Sequence, residues 1–267
     1  MLRMLLLAGF AVLAALPARA DQQPSPLQPS ETWDEISYNV IGDAEVRDGS
    51  GLYTLEAPFR AEDAATVPVH IIQAAGAPDA RRLFLVVDEN PAPVAAEFTF
   101  GPAMSPLDLE ARVRVDAYSN VRAIVEAADG ALYMTGRFVR ASGGCSAPAA
   151  KDAVAALEAL GQMKIRWYDT DAALPPDRRM AQVMLRHPNN SGMQRNQVSL
   201  LYIPARFVDT MEVRQGDELL FSMTGGISIS EDPTFRFAYT DTGAGDLSVV
   251  ATDTDGAVFK GTFPPTM

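Results

Sequence analysis

The chain has 267 residues, with 34 Asp plus Glu against 22 Lys plus Arg, a net charge of −12, and a single cysteine. A surface this acidic repels nucleic-acid phosphates and anionic lipid headgroups, so neither a nucleic acid nor a membrane surface is an expected partner. One cysteine rules out an internal disulfide, and alongside only two histidines it argues against a structural zinc site.

Residues 1–20 read as a secretory signal. Arg3 supplies the positive start, and Met4 to Leu16 is an apolar run too short to span a bilayer. Pro17 breaks that run, and Ala18-Arg19-Ala20 is an Ala-x-Ala cleavage site. Cleavage there starts the mature chain at Asp21. It removes Arg3 and Arg19 but no acid, so the net charge moves from −12 to −14. No cysteine stands at the new N-terminus to take a lipid, and no membrane attachment is expected after cleavage.

Residues 21–50 hold a flexible leader rich in Pro, Gln and Ser over Asp21 to Ser30, followed by a short helix predicted over Glu31–Ile41. Ser30 is the expected N-cap, with Trp33, Ile36, Tyr38 and Val40 as apolar anchors. Strands are predicted at 52–57, 66–73, 82–88, 94–100, 109–115, 121–127 and 131–140. Several alternate apolar with polar residues, as in Glu110-Ala111-Arg112-Val113-Arg114-Val115. Turn formers such as Gly76, Pro78, Asn90-Pro91, Gly101-Pro102 and Asp129-Gly130 separate them, which fits an immunoglobulin-like β-sandwich over 51–141.

Residues 142–162 then join the two halves. They begin with Ser142-Gly143-Gly144-Cys145-Ser146-Ala147-Pro148 and continue as an Ala-rich helix over 149–160, with Gly161 as C-cap. A second strand-rich region, 163–267, carries predicted strands at 164–168, 180–187, 200–204, 211–213, 218–224, 234–239, 246–252 and 257–263. Asp255-Gly256 there is a hairpin signal. The expected fold class is all-β: two immunoglobulin-like β-sandwich domains in tandem, joined by a short helical linker and sharing no sequence repeat.

No catalytic constellation stands out. The carboxylates are scattered, there is no phosphate-cradling glycine loop or dinucleotide fingerprint, and no cofactor is expected. His70 alternates with Val69 and Ile71 and reads as a partly exposed sheet residue. His187 sits in the stretch Arg186 to Arg195, rich in turn formers, which is either a plain surface loop or a docking surface through His187, Asn190, Gly192 and Arg195. Three readings of Cys145 stand: a buried inert thiol, an intermolecular disulfide partner, or a functional thiol. Gly143 and Gly144 before it, and the polar residues around it, favour a mobile, accessible segment.

Asp88-Glu89-Asn90-Pro91, Phe98-Thr99-Phe100-Gly101-Pro102-Ala103, Asp129-Gly130-Ala131-Leu132-Tyr133 and Gly143-Gly144-Cys145 make the first half similar to the sulfur carrier SoxY. His187 to Arg195, Ile203-Pro204-Ala205 and Thr252-Asp253-Thr254-Asp255-Gly256 make the second half similar to SoxZ. In that order the chain resembles a fused SoxYZ complex, and most of all the group described as quinoprotein dehydrogenase-associated SoxYZ-like carriers. The resemblance implies a periplasmic carrier that is not itself an enzyme. It would hold a sulfur-containing or related intermediate on Cys145, with Gly143 and Gly144 as the carrier arm. Its partners would be a quinoprotein alcohol dehydrogenase or Sox-type enzymes. The family arm reads Gly-Gly-Cys-Gly-Gly and ends the chain. Here Ser146-Ala147-Pro148 follows instead, so the tip is tethered on both sides. The competing expectation is a non-catalytic periplasmic binding or assembly module for a quinoprotein dehydrogenase, in which Cys145 is incidental.

Overall fold

The computed structural model describes residues 26–148, 153–168 and 175–265. The expected signal over 1–20 and the first residues of the expected linker helix lie outside them. The helix α1 spans Glu31–Ile41, the bounds that its sequence predicted. Ser30 Oγ accepts from Trp33 N–H at 3.0 Å, and the Gly42 N–H closes the last turn on the Tyr38 carbonyl at 2.8 Å.

Strands β1 (Val46–Asp48), β2 (Tyr53–Glu56), β3 (Val67–Gln73), β4 (Ala80–Val87), β5 (Val94–Phe100), β6 (Asp108–Val113), β7 (Ser119–Ala127) and β8 (Leu132–Val139) form the first half. A helical turn, α2 (Ala153–Glu158), leads into β9 (Met163–Tyr168), β10 (Arg178–Leu185), β11 (Val208–Gln215), β12 (Glu218–Gly225), β13 (Thr234–Thr240), β14 (Leu247–Asp253) and β15 (Val258–Phe263). The three-residue β1, which pairs in parallel with β8, was not expected. The apolar run at 200–204 was expected as a strand and is not one. It lies in an exposed loop, with Tyr202 bridged only to Arg195.

The all-β tandem sandwich is present, and its two halves share their sheets. One sheet runs β1-β8-β7-β4-β5-β12-β11-β14-β15 and the other β2-β3-β6-β13-β10-β9. The joins are antiparallel: β5 meets β12 with Phe100 opposite Phe221, and β6 meets β13 with Leu109 opposite Phe237. Strand alternation sends those aromatic side chains inward. The Phe98 ring therefore lies edge-on to Phe235 at 5.8 Å, and Phe221 edge-on to Phe237 at 5.2 Å. A single apolar core runs through both halves, and this aromatic cluster is its middle.

Helix α1 covers a second, smaller core on the outer face of the larger sheet. Trp33, Ile36, Val40 and Ile41 pack there against Val86, Ile124 and Leu132. The expected anchor Tyr38 points to solvent instead. Under the helix, buried Arg122 holds buried Asp88 through two hydrogen bonds of 2.7 and 2.8 Å, and the Trp33 ring caps the guanidinium at 4.6 Å.

Candidate functional site

The site grows from the end of β6, where the two halves meet. Past Val113 the chain runs on as Arg114, Val115 and Asp116 beside the 226–230 segment of the second half. Arg114 N–H donates to the Ser228 carbonyl at 2.8 Å, and Ser230 N–H donates to the Arg112 carbonyl at 3.1 Å. Buried Asn90 ties this corner together. Its amide nitrogen donates to the Arg114 carbonyl at 2.7 Å and to Ser228 Oγ at 2.9 Å, and its oxygen accepts from Asp116 N–H at 2.8 Å.

The Gly-Gly-Cys turn docks on this corner. Gly143 N–H donates to the Asp116 carbonyl at 2.7 Å, Gly144 N–H to the Val115 carbonyl at 3.1 Å, and Cys145 N–H to Asp116 Oδ1 at 3.0 Å. From the second half, Ser191 Oγ donates to the Cys145 carbonyl. Arg114 spans the halves, its Nη1 on the Gly144 carbonyl at 3.0 Å and its Nη2 on the Asn189 carbonyl at 3.2 Å.

Two expectations change here. The thiol was expected on an accessible segment, yet Cys145 is 0% exposed. The two glycines were expected to loosen the arm, and their chemistry instead seats it. Gly143 sits at φ +77°, where a side chain is strained, and a Cβ on Gly144 would lie 2.1 Å from the Ala64 carbonyl oxygen. The backbone can enter the gap between Ala64 and Val115 because Gly144 has no side chain. Burial pushes the Cys145 thiol up to about 11; the Asp116 carboxylate adds to the rise and the Arg114 charge opposes it.

Neither histidine is bonded to this thiol among the described residues. His70 lies on the outer face of the smaller sheet, between Asp108 (2.7 Å) and Glu56 (3.6 Å). His187 is 1% exposed, so its expected docking role fails: burial has closed it off from any partner. Its ring is held by Asn189 at 2.7 Å and Asp253 at 3.3 Å, and burial lowers its pKa against the pull of both.

The rest of the expected docking loop divides. Asn190 is half-buried and paired through its carbonyl to Arg206 N–H at 3.0 Å. Gly192 sits at φ +86° against Ala205. Arg195 alone is on the surface, its guanidinium stacked 4.7 Å above the Tyr202 ring. The loop therefore braces the cysteine turn from within through Asn189 and Ser191 and presents only its far end to solvent.

The sequence reading missed Arg114, Asp116, Asn90 and Ser191. Arg114 was read as one polar position in an alternating strand; it lies just beyond the end of β6 and is 1% exposed. Asn90 lay inside a stretch noted for its similarity to SoxY, with no role assigned.

Comparison with known proteins places these elements. The family model "Sulfur oxidation protein SoxY" matches residues 37–145, ending on the cysteine, and "Sulphur oxidation protein SoxZ" matches residues 165–264. Among solved structures, the sulfur carrier protein SoxY from Chlorobium limicola f thiosulfatophilum is 28% identical. That alignment covers 41% of this chain and 94% of that one, with a TM-score of 0.35. No curated protein matches the chain. The chain belongs to the sulfur-oxidation SoxY and SoxZ families, a SoxY half followed by a SoxZ half in a single polypeptide.

Proposed function

We propose that this sulfur-oxidation carrier holds its cargo covalently on Cys145 and presents it to partner enzymes in the periplasm. The observation that carries the reading is the placement of the thiol. Cys145 closes the SoxY match and sits in a turn held by backbone hydrogen bonds at the junction of the halves. Such a turn can leave as a unit, because the bonds that hold it are its own N–H and C=O groups, which water can replace. Loading joins Sγ to a cargo sulfur in an S–S bond. Where the cargo arrives with an unpaired sulfur, the thiol gives up its proton and two electrons leave with the partner, which is then an oxidoreductase.

Sox-type enzymes fit that class, and so does the quinoprotein alcohol dehydrogenase suggested by the subgroup that the sequence resembles. Export rests on Arg3, the apolar run and Ala18-Arg19-Ala20. Intact-mass measurement of protein recovered from its host without reductant tests the carrier role. The expected result is a population heavier than the signal-cleaved chain, with the added mass on Cys145 and lost on reduction. Free thiol throughout, with unchanged growth of a Cys145→Ser strain on reduced sulfur, would sink it.

One observation favours a second reading, a binding or assembly module in which the cysteine is incidental: the thiol is buried and its pKa is raised, as for an inert core cysteine. Capture of the same dehydrogenase by wild-type and Cys145→Ser protein, with no adduct on either, would establish that reading.

A further inference from the structure

Arg114 is 1% exposed and is among the largest fully buried side chains of the described residues. A guanidinium stays charged at any physiological pH, so burying one calls for a counter-charge or a full set of acceptors. The other buried guanidiniums meet that demand. Arg122 has the Asp88 carboxylate, and Arg178 is held by the carbonyls of Ala103, Ser105 and Pro106. Arg114 has two carbonyls, one of them that of Gly144 beside the thiol, and its Nε is buried with no partner. Among the described residues no carboxylate forms an ion pair with it. The acids whose field reaches it, Glu231 and Asp63, stand farther off, and Asp116 Oδ1 is engaged by Cys145 N–H.

We propose that Arg114 is the positioning residue for the cargo, supplying the counter-charge for a sulfur oxyanion carried on Cys145 when the turn is docked. The proposal rests on Cys145 being the carrier thiol. The chemistry of the two states differs in charge. An unloaded thiol is neutral at pH 7, because burial holds its pKa near 11, so the guanidinium is left uncompensated. A sulfur bearing three oxygens is an anion at every physiological pH, so loading with such a group completes an ion pair that the empty carrier lacks. A neutral adduct of similar bulk completes nothing. Arg114 therefore favours the docked turn for oxyanion cargo and leaves neutral cargo free to move away, which sorts cargo by charge.

The test uses the full mature chain, with Cys145 loaded in mild denaturant and refolded. Tetrathionate gives the anionic adduct: the thiolate attacks an inner sulfur, forming Cys–S–S–SO3⁻ and releasing thiosulfate. Methyl methanethiosulfonate gives the neutral one, forming Cys–S–S–CH3 and releasing methanesulfinate. The anionic form is expected to melt higher than the neutral form, by about 3 °C. It is also expected to be reduced by a phosphine about tenfold more slowly, the size of one charge-assisted hydrogen bond.

Arg114→Gln should erase both differences, and Arg114→Lys should keep part of them. Equal behaviour of the two adducts in wild-type protein, or a difference that survives in Arg114→Gln, overturns the proposal. Should Arg114→Gln not fold, the nitrogen NMR resonance of Arg114 Nε in wild-type protein decides: it should take a different position in the anionic adduct than in the neutral one, and the same position in both overturns the proposal. If host-derived protein carries a Cys145 adduct but these comparisons fail, the role of Arg114 falls while the carrier reading stands. If no adduct is found in the host and the Cys145→Ser strain grows unchanged on reduced sulfur, the carrier reading itself falls.

Discussion

Burial, helped by the Asp116 carboxylate, pushes the Cys145 thiol up and prevails over the opposing Arg114 charge. A rise from 9.0 to about 11 leaves about a hundred-fold less thiolate at neutral pH, before the shielding of a fully buried side chain is added. Alkylation of Cys145 in the native protein at pH 7 should therefore be at least about 100-fold slower than in denaturant, and should climb as pH rises toward 11. Equal rates in the two conditions would mean that the turn is undocked in solution. His70 shows the opposite balance. Burial lowers its pKa, but the hydrogen bond and charge of Asp108, helped by Glu56 and Glu110, outweigh burial and raise it. A raised folded pKa means that the protonated ring stabilises the fold below its unfolded value of 6.5, and that this contribution fades as pH climbs through the folded pKa. The gap in Tm between wild type and His70→Gln should thus be wider near pH 5.5 than near pH 8.5; a gap that does not change with pH would mean that folding leaves the ring's pKa unshifted.

Elements with short-range logic could be read from the sequence, and those set by distant partners could not. The alternation in Glu110-Ala111-Arg112-Val113 gave β6, Ser30 and Gly42 bracket α1, and Asp255-Gly256 makes the turn from β14 to β15. The short parallel β1 has no alternation to read, since its position is set by β8 more than eighty residues on. The apolar residues at 200–204 mimic a strand, but no neighbouring edge receives them. The largest change concerns Cys145. Its burial depends on the Ala64 carbonyl and on Ser191, and nothing within the local Gly-Gly-Cys-Ser stretch signals either. A local substitution can still test it. Gly144→Ala puts a Cβ into the Ala64 carbonyl, so it should cost about 1–3 kcal/mol in urea denaturation and speed Cys145 labelling. Unchanged labelling would show that the turn seats without this glycine.

Across the whole molecule, the shared sheets make the two family halves one cooperative body. Phe221, from the second half, touches Phe98 of the first as well as Phe235 and Phe237 of its own. Phe221→Ala should cost about 3–5 kcal/mol and lower the stability of both halves in one transition. Two separate transitions, with only the second displaced, would contradict a common core. Chain cleavage between residues 148 and 163 should leave the halves co-eluting on size exclusion, because β5·β12 and β6·β13 remain paired without the linker.

Those two strand pairs have a further consequence. Separated, β5 and β12 would each be an open edge with a row of unsatisfied N–H and C=O groups, a template for pairing with stray strands. In one polypeptide each edge is born with its match tethered alongside, at an effective concentration on the order of millimolar. Dilution cannot strand either half, and the stoichiometry of thiol-bearing to bracing half is fixed at one to one. A thiol whose shelter is built from both halves is thus never made without its shelter.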